Sequence, residues 1–460
     1  MRSRTLAILA LLAAVAVAAW LALRPSEGAG AGPVRRTPLF AADEIPLERI
    51  DRVELLRDGA PAMAFVRTPS GWEQSEPFPH PADPGAIREV IDVAASLLAT
   101  RAVDPAAIDP DARAALGLDP PAARLRLAWP GGERTLELGR RTVAGRGWAR
   151  VAGRPEAMSV DAALHELAVD ADARQWRSRR LHDPGQADIA AVEVRYGLAP
   201  GQRLLLRRAG GRWRMEEPAG TRADGDAVRG YMEALERAEA DAFAADRPED
   251  LAPLGLAVPE RAVRMERAGA AADEAPVTLV EVGAAVAEGA TERFARVRAR
   301  PTVVQLGPKA VAALFPPPAF FVDPRGSDAV PADVRAIEFL PFAAPGAPER
   351  AAFRLDRTLE GWTLAAGGAD GIPADAERVR RLLAQLCEAR APAVAFQDMP
   401  DALRVGEFML RGTGGAELAR VRVAREPEGQ WALDGGDRVL RVFPAGFDLA
   451  VAPGAYAGSR

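Results

Sequence analysis

One pattern, met three times along the chain, limits what this sequence can fold into more than any other feature. Each copy has a Trp followed eleven to thirteen residues later by an Asp, and the Asp stands four residues before the first apolar position of a helix. Trp72 and Asp83 precede Ile87, Val90, Ile91 and Ala94; Trp213 and Asp224 precede Val228, Tyr231, Met232 and Leu235; Trp362 and Asp375 precede Val379, Leu382, Leu383 and Leu386. The stripe runs i, i+3, i+4, i+7 every time, the signature of an amphipathic helix, and Asp just ahead of it is a preferred N-cap. Self-similarity in fixed phase marks a repeat architecture.

The flanking elements repeat as well. Alternating strands open the copies at 50–55, 189–194 and 334–339. Leu116-Gly117-Leu118 returns as Leu254-Gly255-Leu256, and Leu136-Glu137-Leu138-Gly139 as Leu279-Val280-Glu281-Val282-Gly283. Between the first and second copies these landmarks recur at intervals of 138–144 residues, the drift that loop insertions produce. In the first copy the sequence predicts strands over 62–67, 71–74, 124–129, 135–138, 148–151 and 157–160. A polar connection follows the main helix, and a short helix over 162–167 closes the unit; one over 308–314 closes the second copy. The third copy lacks Leu-Gly-Leu and has a compressed second half, with strands over 417–423, 431–433 and 439–442.

Residues 6–23 are an unbroken apolar run behind Arg2 and Arg4, closed by Arg24-Pro25. Eighteen residues at 1.5 Å each span about 27 Å, close to the roughly 30 Å of a bilayer core. This reads as a single-pass signal anchor with a cytoplasmic N-terminus; cleavage after Ala16-Val17-Ala18 is the alternative. No Cys follows for a lipid anchor, and the Gly- and Pro-rich stretch after it reads as a flexible tether. The expectation is a single-pass membrane protein whose bulk lies outside the cytoplasm.

The net charge of −5 comes from both signs dispersed along the chain, which argues against a nucleic-acid surface. Cys387 is the only cysteine, so no intramolecular disulfide can form, and it reads as a small side chain in the third helix.

Chemistry is sparse. His80, His165 and His182 are dispersed without metal-ligand spacing. Ser70 sits in a turn, and no serine lies in a Gly-x-Ser-x-Gly elbow. Glu54, Glu193 and Glu338 hold equivalent places in the opening strands, and a residue present once per repeat is more simply a solvent-facing strand position than a catalyst. The same argument makes Asp83, Asp224 and Asp375 helix caps. Trp72, Trp213 and Trp362, with Trp148 and Trp431, read as core packing, which is worth roughly 2–3 kcal/mol per ring. The arginines over 174–180 read as a solvated helix end. No catalytic, cofactor-binding or metal residue is expected, and no cofactor.

The opening Val53-Glu54-Leu55, Gly71-Trp72, Ala82-Asp83, Gly117-Leu118-Asp119-Pro120-Pro121 and Leu136-Glu137-Leu138-Gly139 together resemble the bacterial family "domain of unknown function 4340" (DUF4340). The resemblance is good over 45–185, fair over 189–325 and weak beyond. It carries no catalytic or binding residues. It implies a protein anchored in the bacterial inner membrane through residues 6–23, its bulk periplasmic, beside ABC-type export systems, including gliding-motility-like ones, with permease subunits or other envelope proteins as partners.

The sequence therefore predicts an α+β protein: a transmembrane helix (1–24), a flexible linker (25–45), and repeats over 46–185, 186–326 and 327–460. Each repeat is expected to be a mainly antiparallel sheet with one long amphipathic helix on one face. The expected function is a non-enzymatic accessory or scaffold protein in a transport or motility assembly. A hydrolase of envelope polymers and a periplasmic ligand-binding module using the aromatics are the alternatives.

Overall fold

A computed structural model describes residues 36–41, 44–142, 145–182, 189–199, 201–269, 278–343, 350–367 and 371–458. The apolar run over 6–23 lies outside them; among the described residues no helix is long and apolar enough to cross a membrane.

In the first repeat the strands are β1 (Thr37–Pro38), β2 (Arg52–Arg57), β3 (Met63–Thr68), β4 (Gly71–Glu76), β5 (His80–Pro81), β6 (Leu98–Val103), β7 (Ala123–Trp129), β8 (Gly132–Thr142), β9 (Arg146–Val151) and β10 (Ala157–Asp161). They form one antiparallel sheet ordered β1-β6-β10-β9-β8-β7-β2-β3-β4-β5. Helix α1 (Pro84–Ala95) joins β5 at one edge to β6 towards the other, so it must cross a face of the sheet. Its buried stripe Ile87, Val90, Ile91 and Ala94 joins Val53, Phe65, Leu125 and Leu136 in one core. A fully buried aliphatic chain contributes about 1.5–3 kcal/mol, which is why this face is apolar. A second, shorter helix, α2 (Pro110–Leu116), ends at Gly117 in the left-handed conformation, and α3 (Ala163–His165) continues as a π-helix to Asp170.

The second repeat has β11 (Ile189–Arg195), β12 (Arg203–Ala209), β13 (Arg212–Glu217), β14 (Thr221–Arg222), β15 (Ala242–Asp246), β16 (Arg261–Arg267), β17 (Thr278–Ala285), β18 (Arg293–Val297) and β19 (Thr302–Leu306), with helices α4 (Gly225–Glu236) and α5 (Pro308–Leu314). The third has β20 (Ala336–Pro341), β21 (Phe353–Arg357), β22 (Trp362–Ala366), β23 (Ile372–Pro373), β24 (Ala393–Phe396), β25 (Arg404–Arg411), β26 (Glu417–Arg425), β27 (Trp431–Asp434) and β28 (Val439–Phe443), with helix α6 (Ala376–Cys387). Their sheets run β14-β13-β12-β11-β16-β17-β18-β19-β15 and β23-β22-β21-β20-β25-β26-β27-β28-β24, the same topology as the first without its additional edge strand β1. Three antiparallel sheets, each with a long helix, match the expected architecture.

Four features differ from the sequence reading. The polar connection after each long helix contains a strand (β6, β15, β24); β15 and β24 form the far edge of their sheets, and β6 holds the equivalent place with β1 outside it. The third repeat has lost no strand of the second repeat's set; β25 fills the place where compression was expected. The linker expected to reach residue 45 is not a tether over its described part: β1 pairs with β6, and Leu39, Phe40 and Ile45 are buried in the first core. Finally, each repeat begins ahead of the expected boundary, because a lead-in segment pairs with the chain after the helix. Leu39 N donates to Leu97 O (2.9 Å), Leu181 N to Ala238 O (3.0 Å), and Ala391 N to Pro324 O (3.0 Å). The chain divides into two compact units, one ending at Ser178 and the other starting at Arg179; the second unit contains both later repeats.

Candidate functional site

The repeated aspartates are helix caps. Asp83 Oδ1 accepts from Gly85 N (2.8 Å) and Ala86 N (3.2 Å), Asp224 Oδ1 from Asp226 N (3.0 Å), and Asp375 Oδ1 from Glu377 N (2.9 Å) and Arg378 N (3.2 Å). Each capping residue is held from behind by a closing turn. Its backbone N–H donates to the carbonyl of Trp176, Phe321 or Tyr456, at 2.8, 2.8 and 2.9 Å respectively. Those three rings are buried, whereas Trp72, Trp213 and Trp362 are only half-buried at the margins of the cores. The recurrent Trp does pack against each core, but from its margin and not as a fully enclosed ring. The buried position on that strand lies two residues further on, at Gln74, Met215 and Leu364, and the covering aromatic comes from the end of the repeat. Trp148 is half-buried and Trp431 buried.

The histidines lie in three separate places. His80 Nδ1 donates to Pro81 O (2.8 Å), and His182 Nδ1 lies 2.6 Å from Thr278 Oγ1. His165 Nε2 donates to Trp148 O (3.0 Å), and burial holds its imidazole below the ordinary value. Ser70 caps the β3–β4 turn, its hydroxyl 2.9 Å from Thr68 Oγ1. Cys387 is buried, and burial pushes its thiol up to about 11. Of the arginines over 174–180, Arg174 lies in the last turn of a short 3-10 helix (Ala173–Trp176) and Arg179 and Arg180 are exposed, as a solvated helix end would have them; Arg177 departs from that reading. Arg177 is fully buried, donating to Gln74 Oε1 (2.7 Å) over the Phe78 ring (4.8 Å). Among the described residues no group of three or more His, Cys, Asp or Glu is placed to hold a metal.

Two polar assemblies emerge. The first covers the sheet face opposite each long helix, where arginines and carboxylates alternate across neighbouring strands. Glu54 lies between Arg52 (2.5 Å) and Arg126 (3.1 Å), and Glu137 between Arg124 (3.3 Å) and Arg150 (2.7 Å). Glu193 meets Arg203 (3.1 Å), and Glu281 meets Arg296 (2.6 Å) and Arg298 (2.5 Å). Glu338 meets Arg354 (2.5 Å) and Arg411 (3.0 Å). Burial raises the Glu54 carboxyl, but the hydrogen bonds from Arg52 and Arg126 outweigh it and hold the group below its ordinary value. A carboxylate in that setting stays ionised, so it cannot lend a proton as a general acid at neutral pH.

The second assembly lies between the second and third repeats, within one compact unit. Arg441 is fully buried and bidentate to Asp437 (2.9 and 2.8 Å); its Nε donates to Asp323 O (2.9 Å), and Thr221 Oγ1 donates to the same Asp437 carboxylate. Arg325 is bidentate to Asp323 (3.0 and 2.9 Å), and Arg222 reaches Arg325 O (2.7 Å) and Asp328 (3.1 Å). Arg390 pairs with the cap Asp224, while Val394 and Val439 of the third repeat pack into the second repeat's core. Burial raises the Asp323 and Asp437 carboxyls, yet their arginines outweigh it and hold both below the ordinary value. Such a network fastens; its cations are occupied and it presents no activated nucleophile. Sequence reasoning missed it, although one signal stood in plain view: Arg441 interrupts the apolar run Val439-Leu440-Arg441-Val442-Phe443.

A family model described as "Domain of unknown function (DUF4340)" matches residues 72–214 and again 213–405. Both matches start at a recurrent Trp and end beyond the opening strands of the following repeat, so the family's period is out of phase with the sheets by part of a repeat. No curated protein and no solved structure matches the chain.

Proposed function

Because the chain belongs to the DUF4340 family, a family of unknown function, we propose that it is a non-enzymatic scaffold whose arginine–glutamate sheet faces receive a protein partner. One observation carries the reading: three sheets each pack a long helix on one face and carry arginine–carboxylate rows on the other, beside small apolar clusters around Leu116 and Leu118 in the first repeat and Ala424 and Leu440 in the third. An antiparallel sheet of this kind presents a broad, stiff surface with donors and acceptors in fixed rows. The ionised state of carboxylates such as Glu54 supports binding rather than acid catalysis.

The apolar run over 6–23 would tether this scaffold to the inner membrane with its bulk in the periplasm, and the family resemblance suggests ABC-type permease subunits as the partner. The test is affinity purification of the tagged full-length protein from gently solubilised native membranes, followed by mass spectrometry. Reproducible co-recovery of permease and ATPase subunits is expected. Recovery of the protein alone in several mild detergents would overturn the transport assignment.

A further inference from the structure

On the ion-laced face of the second repeat, two neighbouring rows of side chains depart from the pattern of the other repeats. Arg195, Ala262, Glu281 and Arg296 stand opposite one another across β11, β16, β17 and β18. The equivalent row in the first repeat is Leu56, Arg124, Glu137 and Arg150, and in the third it is Leu340, Glu407, Arg422 and Asp434. The first and third repeats thus place a long charged side chain in the second position, where it pairs with its neighbours: Arg124 with Glu137 (3.3 Å), and Glu407 with Arg404 and Arg420 (both 3.2 Å). The second repeat has Ala262 there, and the missing side chain leaves a cavity of about 170 Å³. The first position is an exposed leucine in the other two repeats (Leu56, 43%; Leu340, 42%) but a cation, Arg195, beside the cavity.

The adjoining row, Glu193, Arg264 and Leu279, forms the other wall, with Arg298 at one end. The two wall carboxylates already have cations of their own, Glu193 with Arg203 and Glu281 with Arg296 and Arg298, while Arg264 has Glu266 (2.8 Å). Arg195 differs. Its Nη2 donates to Pro259 O (3.1 Å) and its Nε, like that of Arg264, is buried without a hydrogen bond; unlike Arg264, it meets no carboxylate within 4 Å among the described residues. The wall therefore carries three guanidinium groups against two carboxylates. Arg195 is half-buried, so its guanidinium is less fully hydrated than a free one and gains from an anion brought to it.

We propose that this cavity is a binding site for a single carboxylate, presented by an acidic side chain or chain end of a protein partner, with Arg195 as its principal donor. At about 170 Å³ the space lies below the roughly 300–1,000 Å³ of small-molecule pockets, so it takes a functional group rather than a whole ligand. The surplus of one positive charge matches a carboxylate; a phosphate brings about −1.5 to −2 and would sit beside two glutamates. Guanidinium geometry suits the bidentate carboxylate contact. A group that occurs in only one of three otherwise equivalent repeats is not demanded by the shared fold, which is what separates Arg195 from Glu54, Glu193 and Glu338. This inference rests on the reading of the ion-laced faces as binding surfaces.

The experiment titrates the full-length protein against N-acetyl-Gly-Glu-Gly-amide and its Gln counterpart, read by ligand-observed NMR. The Glu peptide should bind and the Gln peptide should not. R195M should weaken binding by about tenfold or more, the worth of one charge-assisted contact. A262R restores the side chain of the first repeat and fills the cavity, so it should abolish binding with the thermal midpoint preserved. R229M, at an exposed pair with Asp226 on helix α4, should bind as the parent does. Equal binding of both peptides, or unchanged affinity in R195M and A262R, would overturn the site. Displacement by inorganic phosphate at lower concentration than by acetate would overturn the carboxylate assignment. A protein that binds the peptide but recovers no permease loses only the transport assignment, and the reverse result loses only the cavity.

Discussion

Gly139 and Gly283 show what the most legible motif is for. A Cβ at Gly139 would lie 2.3 Å from Leu116 O, and at Gly283 2.2 Å from Leu254 O. The Leu-Gly-Leu turn therefore packs backbone against backbone on β8 and β17, and its own Gly117 and Gly255 adopt left-handed φ values of 64° and 65°. The motif is a fold lock rather than a site. Replacing Gly139 or Gly283 with Ala is expected to destabilise the protein by about 2 kcal/mol, the cost of overpacking against a group that cannot move aside. Urea denaturation should show this as a lower midpoint at unchanged slope. At the same scale, Cys387 has its thiol pushed up to about 11 by burial, so little thiolate forms at neutral pH. It is expected to resist Ellman's reagent in the native protein and to react fully once denatured; rapid native labelling would contradict its burial. The aspartate caps were legible from sequence because a cap is local: side chain, helix start and apolar stripe lie within a dozen residues. Arg177 was not, since its partner Gln74 lies 103 positions away.

The elements divide along the same line. Long helices and hairpin strands follow from periods of 3.6 and 2 and were readable in sequence. The strands β6, β15 and β24 were not, because each is stabilised by pairing with β10, β19 or β28 rather than by a strong pattern of its own; Ala242-Phe243-Ala244-Ala245-Asp246 shows how weak that pattern is. The closing aromatics were hidden for a related reason. Trp176, Phe321 and Tyr456 act on helix starts 93, 97 and 81 residues upstream, at Asp83, Asp224 and Asp375. The caps themselves differ in a way that can be measured. Asp83 caps α1 within its own repeat, whereas Asp224 also holds Arg390 of the next repeat. D83A should cost about 1 kcal/mol, the usual loss of a cap. D224A should cost more, and a double-mutant cycle with R390A should recover a coupling of about 0.5–1 kcal/mol, the range for a partly exposed pair. Zero coupling would mean that the Arg390 contact does not join the repeats.

At the scale of the molecule, the second and third copies share one compact unit, and the junction between them carries a buried ionic network as well as shared apolar packing. That junction depends on Arg441, which is charged and out of reach of water, and on Asp437 beneath it. Removing one partner of a buried pair leaves the other uncompensated, at a cost of about 3–5 kcal/mol. D437N should therefore destabilise the unit formed by the second and third repeats by roughly that amount, with hydrogen exchange accelerating first at Thr221, Arg222 and the strand around Arg441. The dependence on pH has a definite sign. Both Asp323 and Asp437 are held below the ordinary value of 3.8, so the unfolded chain binds protons before the folded one does. Their stabilisation is complete above that value and is lost as the pH falls through the lower native values. The parent should thus lose stability steeply below about pH 4, whereas D437N, lacking one of these carboxylates, should start lower and fall less. Parallel acid profiles for the two proteins would mean that Asp437 carries no ionic share of the junction.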